Sequence, residues 1–316
     1  MLFRSQHGTM TMVRRSVLEQ VGGWGEWCIT EDAELGLRVF EHGYEAMYTP
    51  CSFGKGLIPD NFLNFKKQRF RWAYGAVLIL RRHLGELLGT KPSALTSGQR
   101  YHFVAGWLPW LSDGLSLVFN LAALLWTLGM VVTPDHFDPP LMIFAVFPLG
   151  LFLFKLLKLA FLYRRRVQAD VRQSLGAACA GLALSHTIAR AVMTGFVNNR
   201  IGFFRTPKLA SQSALLQSLM HSREELLFLL ALWVGAYGVV TVQGTEMPDV
   251  TLWAVMLLVQ SVPYAAAVCM SLVGALPQLP ARLVGALGEM QDTSTGSASS
   301  PGKCPEIMPD RKPHGP

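Results

Sequence analysis

Long apolar runs constrain this chain more than any other feature. After Tyr101 several stretches approach or exceed the roughly 20 mostly apolar residues that a helix needs to cross a bilayer, and before Tyr101 none does. Four of them read as spans: residues 106–132, 141–163, 226–242 and 250–276. A fifth run, 175–197, holds His186 and Arg190 and has basic residues on both flanks, Arg164, Arg165, Arg166 and Arg172 before it and Arg200, Arg205 and Lys208 after it. If it spanned, one basic cluster would face outward, so residues 175–198 are expected to form a re-entrant or interfacial helix. The loops 133–140 and 243–249 carry acidic residues and no Lys or Arg, which places them outside. The resulting topology is multi-pass, with the N-terminal segment and the tail cytoplasmic, in a plasma membrane of the bacterial inner-membrane kind.

Composition agrees with a membrane protein, at 51% hydrophobic and 16% charged residues. The net charge of +7 raises the question of nucleic acid, but the cations sit at the edges of apolar runs, as in Tyr163-Arg164-Arg165-Arg166. That pattern points to the lipid bilayer as the basic-patch partner and away from nucleic acid. The five cysteines, Cys28, Cys51, Cys179, Cys269 and Cys304, are scattered, with no C-x-x-C pair and no histidine at ligand spacing, so no metal site is expected from them. The start of the chain lacks the pattern of a signal peptide, and no internal repeat is visible.

The first 59 residues read as a piece of an α/β domain. Strands are expected near 9–13 and 45–49, a short helix over 16–21 ending at Gly22-Gly23, and a second helix over 31–42 stopped by Gly43. Residues 60–100 follow as a surface helix with a polar link over 89–98; the helix mixes Phe65, Phe70, Trp72 and Tyr74 with Lys66, Lys67, Arg69 and Arg71. The membrane region is expected over 101–276, and the Pro, Ser and Gly-rich residues 277–316 as a disordered tail.

Two motifs can carry chemistry. Thr30-Glu31-Asp32 stands at the head of the second helix, where an ionised carboxylate is favoured, although a Thr30 cap with acidic residues complementing the helix dipole explains the same pattern. Gln68-Arg69-Phe70-Arg71-Trp72 puts two guanidiniums, an amide and an indole into little more than one turn. Guanidinium forks suit phosphate oxygens and an indole face suits a sugar ring, yet an interfacial helix anchored on lipid headgroups has the same composition.

Taken in order, T-E-D, Q-R-F-R-W 36 positions after Asp32 and then membrane spans, the chain resembles the membrane-integrated glycosyltransferases of family 2, the cellulose, chitin and hyaluronan synthases, over the C-terminal portion of their GT-A-like catalytic domain and the membrane bundle behind it. The resemblance implies that Asp32 is the general base, that Thr30 and Glu31 belong to the same site, and that Gln68, Arg69, Arg71 and Trp72 hold donor pyrophosphate and acceptor sugar. It implies an inverting transfer from a nucleotide-sugar, UDP-glucose by default, to a growing β-glycan that is then exported. Phe203-Phe204-Arg205-Thr206-Pro207-Lys208 is similar to the F-x-V-T-x-K gating loop of cellulose synthase, with Phe203, Thr206 and Lys208 matching and Arg205 in the valine position. A basic juxtamembrane connector would look the same. His186, Arg190 and Asp113 either line a polar path for the glycan or face water at the helix ends.

The same resemblance implies a divalent cation, Mg or Mn, on a D-x-D motif, and no D-x-D occurs in the 316 residues. The chain is therefore expected to be an incomplete piece of a synthase, with a missing N-terminal half, or to take its donor site from a partner subunit, and to be inactive alone. Two other functions compete: a non-processive transferase that glycosylates a lipid, and a membrane transporter or scaffold without chemistry.

Overall fold

The computed structural model describes residues 11–47, 59, 61–164, 170–198 and 220–275. Within them the secondary structure is helical. Two short helices come first, α1 (Arg15–Gln20) and α2 (Glu31–Glu41), then α3 (Phe62–Arg82) and α4 (Leu84–Leu88). The remaining helices are α5 (Ser97–Val132), α6 (Ile143–Leu162), α7 (Val171–Ala183), α8 (Ser185–Val197), α9 (Arg223–Gln243) and α10 (Pro248–Ala275).

Among the described residues there is no strand, which differs from the α/β reading of the first 59 residues. Residues 11–14 and 44–47 have no regular structure, and the rest of the two expected strands lies outside the described residues. A strand persists only where a neighbour takes its N–H and C=O groups, and no described segment offers either one a ladder. The helices that surround them form because their signals are local. Gly22 and Gly23, both at positive φ (87° and 73°), close α1, where a Cβ would be strained, and Gly43 at φ 82° follows α2.

Local chemistry also starts the longer helices. The Asn61 side chain accepts from the Asn64 amide at the head of α3, and Thr96 with Gln99 makes a reciprocal capping box at the head of α5. Asp170 and Gln173 do the same for α7. Seven consecutive residues of α3, from Ala73 to Ile79, are buried. A helix enclosed on all sides needs small residues where its neighbours approach, and Ala73, Gly75 and Ala76 provide them.

Four described stretches are long and apolar enough to cross a membrane: Ser97–Val132, Val171–Val197, Arg223–Gln243 and Pro248–Gly274. The expected span at 141–163 is the helix α6, whose described apolar part is Ile143–Phe154. The stretch Val171–Val197, which overlaps the 175–198 segment expected to be interfacial, is two helices meeting at Leu184 and half enclosed by the bundle. Its charges are offset by partners that periodicity cannot reveal: the carboxylate of Glu224 lies 3.2 Å from His186 and 2.9 Å from Arg190.

The largest core joins α5, α9 and α10 around Met130, Leu232, Val239, Met256 and Leu257. Polar pairs bond across it. Asn120 donates to the Tyr264 hydroxyl at 2.8 Å, Trp253 to Thr127 at 3.0 Å and Trp233 to Ser261 at 2.9 Å, the kind of interhelical bonding that helps hold helices together in lipid. A second core packs α3 against α8, with Tyr74, Val77, Ala191 and Val192 buried in it. The α3 helix is thus seated on the membrane bundle by one side while its other side meets the turn before α2.

Candidate active site

The turn from Val21 to Thr30 is fastened to α2 and to the end of α3. Arg38 donates to the carbonyl of Val21 and, at 2.7 Å, to that of Gly23, and its Nε lies 2.6 Å from Glu34. Glu34 is 1% exposed. Burial, the strongest single influence on it, favours the neutral acid, but bonds from His83 and Arg38 together outweigh burial and hold its carboxyl below the usual range. His83 sits between Glu34 at 3.4 Å and Glu41 at 2.9 Å. Burial pushes its ring downward, and the two carboxylates reverse that and raise it to about 9, so it is an imidazolium at neutral pH. Trp27 completes the bracing, with the Arg82 guanidinium over its ring at 4.4 Å.

This arrangement brings α2 against α3 at one very close point. A Cβ built on Gly75 would lie 2.2 Å from Thr30 Oγ1, so the turn comes closer to the helix than any other residue would allow. The Thr30 side chain makes no capping bond to α2, and its hydroxyl instead lies 3.3 Å from Cys28 Sγ. The capping explanation of the motif therefore does not describe what Thr30 does.

Beside that contact opens a cleft of about 430 Å³. Thr30, Glu31 and Asp32 line it together with Arg71 and Trp72, so the two motifs meet in one space across some 40 positions of sequence. Trp72 is 39% exposed in spite of its size. Trp24, from the turn, lines the same cleft. Neither Gln68 nor Arg69 is among the residues lining it; the Arg69 guanidinium lies over Phe65 at 5.0 Å and Trp72 at 4.5 Å, backing the indole. Phe203, Thr206 and Lys208 lie outside the described residues.

A carboxylate beside a cation and an exposed indole can take a proton from a hydroxyl, hold an anionic group and support a sugar ring. The same cleft does not suit a resident divalent cation on a donor diphosphate: its two carboxylates are consecutive in sequence, share the space with the Arg71 guanidinium, and belong to no D-x-D. Elsewhere Glu41, His83 and Glu86 bring three ligand atoms within 4.8 Å of one another. His83 is committed there as a protonated partner of Glu34 and Glu41, and none of the three lines the cleft. Of the polar residues singled out in the membrane region, Asp113 and His186 are buried, and Arg190 pairs with Glu224 at the head of α9.

Residues 2–155 match the family model described as Glycosyl transferase family group 2. Over 98 residues, 31% of this chain and 13% of the relative, the chain is 32% identical to "Cellulose synthase 1 catalytic subunit [UDP-forming]" of Komagataeibacter xylinus. It is 33% identical over 88 residues, 28% of the chain and 21% of the relative, to the poly-beta-1,6-N-acetyl-D-glucosamine synthase of Staphylococcus epidermidis. With a probable glycosyltransferase of Sulfolobus acidocaldarius the match is 29% over 157 residues, 48% of the chain and 32% of the relative. The chain thus spans a third or less of the length of these curated relatives. The matched segment ends within α6, and both motifs of the cleft fall inside it.

Proposed function

We propose that the cleft is the acceptor side of an inverting glycosyltransferase that elongates a β-glycan and passes it through the helix bundle. The observation that carries this reading is the meeting of Asp32 with Arg71 and Trp72 in one cleft, inside a segment that matches family 2. Asp32 takes the proton from the acceptor hydroxyl as that oxygen attacks the anomeric carbon of a nucleotide-sugar. The bond from that carbon to the diphosphate breaks, the nucleoside diphosphate leaves, and an α-linked donor gives a β-linkage. Arg71 neutralises charge on the departing diphosphate, and Trp72 holds the acceptor ring by its face.

Supporting a β-glycan product are the relatives named as cellulose and poly-N-acetylglucosamine synthases. UDP-glucose is the donor proposed. With no D-x-D in the 316 residues, the cation site of the donor is supplied by residues outside this sequence, in cis or from a partner, and the chain alone does not turn over. The cleft faces the cytoplasm of a plasma membrane in this reading.

The test is Asp32→Asn in a preparation that includes the donor site, scored by incorporation of labelled sugar from UDP-glucose. Removal of a general base typically costs about 10²–10⁴ in rate. We expect that loss with normal membrane insertion. Transfer within a few-fold of the parent would leave a transporter or scaffold as the better account.

A further inference from the structure

We infer that Trp24 is a second carbohydrate-stacking platform, taking a pyranose ring of the acceptor glycan in the cleft that Trp72 also lines. The inference rests on the acceptor-site reading above and adds to it a residue, an element and a ligand class.

Trp24 is 52% exposed although it lies in an ordered turn between two helices, and it opens onto the cleft. Three residues on, Trp27 is used in the ordinary way, covered by the Arg82 guanidinium at 4.4 Å and tilted against the His83 ring at 6.4 Å. The turn therefore packs one indole and leaves the other uncovered, at the solvent cost that a large apolar surface carries. Its backbone is fixed with unusual care. Gly22 and Gly23 shape it with positive φ, Arg38 bonds the carbonyls of Val21 and Gly23, and buried Glu34 holds Arg38. Glu34 and Asp32 are two residues apart on the same helix, so the position of Trp24 is tied to that of the carboxylate.

An indole held on a rigid mount beside a carboxylate and a guanidinium suits a ring with apolar faces and hydroxyl edges. A β-linked hexopyranose has both, with axial C–H groups on its faces and equatorial hydroxyls around its rim. Trp24 from the turn and Trp72 from α3 then give the acceptor two aromatic contacts from independent elements, which fixes the orientation of the terminal hydroxyl toward Asp32. An interfacial anchor in lipid headgroups is the other use of an exposed indole.

The experiment uses the 316-residue chain in lipid nanodiscs, with cellohexaose, mannohexaose and chitohexaose titrated as probes and binding read by calorimetry. Trp24→Ala is expected to weaken binding of the preferred hexasaccharide about tenfold, Trp24→Tyr to stay within about threefold of the parent, and neither to change vesicle association. Unchanged binding in Trp24→Ala beside a loss in Trp72→Ala overturns this inference and leaves the acceptor-site reading intact. Failure of the parent to bind any of the three probes overturns both. Equal loss in the Ala and Tyr variants, with lowered melting temperature, assigns Trp24 a packing role and overturns the inference, as does a loss of vesicle association in place of glycan binding.

Discussion

Gly75→Ala is the sharpest single test of how the cleft is assembled. The added Cβ would stand 2.2 Å from Thr30 Oγ1, 2.6 Å from Cγ2 and 2.9 Å from Cβ. Rotating the Thr30 side chain exchanges the first two atoms but leaves its Cβ in place, so the backbone of the turn must retreat from α3. Carbon contacts settle at about 3.5–4.0 Å, which sets the required retreat at roughly 1 Å. Overpacking of this kind costs about 1–3 kcal/mol, and α3 stays seated because Tyr74, Val77 and Leu78 remain packed in the core it shares with α8. The displacement falls directly on the site, since Asp32 follows Thr30 by two residues and Arg71 and Trp72 lie about one turn before Gly75. A 1 Å misplacement can cost about 10²-fold in rate. We therefore expect sugar transfer, measured in a preparation with the donor site, to fall about a hundredfold while the melting temperature drops only a few degrees. Thr30→Ser in the same chain, which deletes the methyl group, should recover part of the loss. Transfer by Gly75→Ala within twofold of the parent would refute the claim that this contact positions the site.

Two further substitutions probe the supports of that site. His83 is raised to about 9 from an ordinary 6.5, so its contribution is complete below about pH 6.5 and disappears as pH rises through 9; the shift corresponds to about 3 kcal/mol. Thermal melting of the parent should therefore weaken between those pH values, and His83→Gln should flatten the dependence; an equal slope in both would remove the imidazolium from the account. Lys66 and Glu225 form a buried ion pair at 2.5 Å between α3 and α9, with Glu225 3% exposed. Glu225→Gln leaves the lysine charge without its counter-ion and should cost about 3–5 kcal/mol, read as a lowered melting temperature in detergent, whereas replacing both with apolar residues should restore most of it. No difference between the single and double variants would exclude the pair as a tie between the helices.

How much of this structure the sequence reveals depends on the range of each signal. Apolar length, the Gly43 stop and the aromatic-basic composition of α3 are local, and the helices at 31–41, 62–82, 97–132, 223–243 and 248–275 stand over segments read as helical or spanning. The division of 171–197 was not legible, because the pairing of His186 and Arg190 with Glu224 joins residues 34–38 positions apart. Nor could strand pairing for 9–13 and 45–49 be judged, since it depends on neighbours and not on the strand. Asp32, Arg71 and Trp72 were named from their motifs, and the cleft unites them. Trp24, Arg38 and Gly75 were missed as a group. Each acts through a contact across the turn, and only the Gly-Gly pair before Trp24 hinted that this turn has a demanding shape.

The burial of α3 carries a consequence for biogenesis. Tyr74 donates to the carbonyl of Asn198 at 3.0 Å and Arg81 to that of Gly195 at 2.8 Å, partners synthesised 124 and 114 residues later. A nascent chain can form α3 early, but it cannot enclose that helix until α8 has emerged and docked. The α3 side of the cleft is thus completed late, after α5 and α6 have left the ribosome, and its maturation reports on assembly of the helix bundle as a whole.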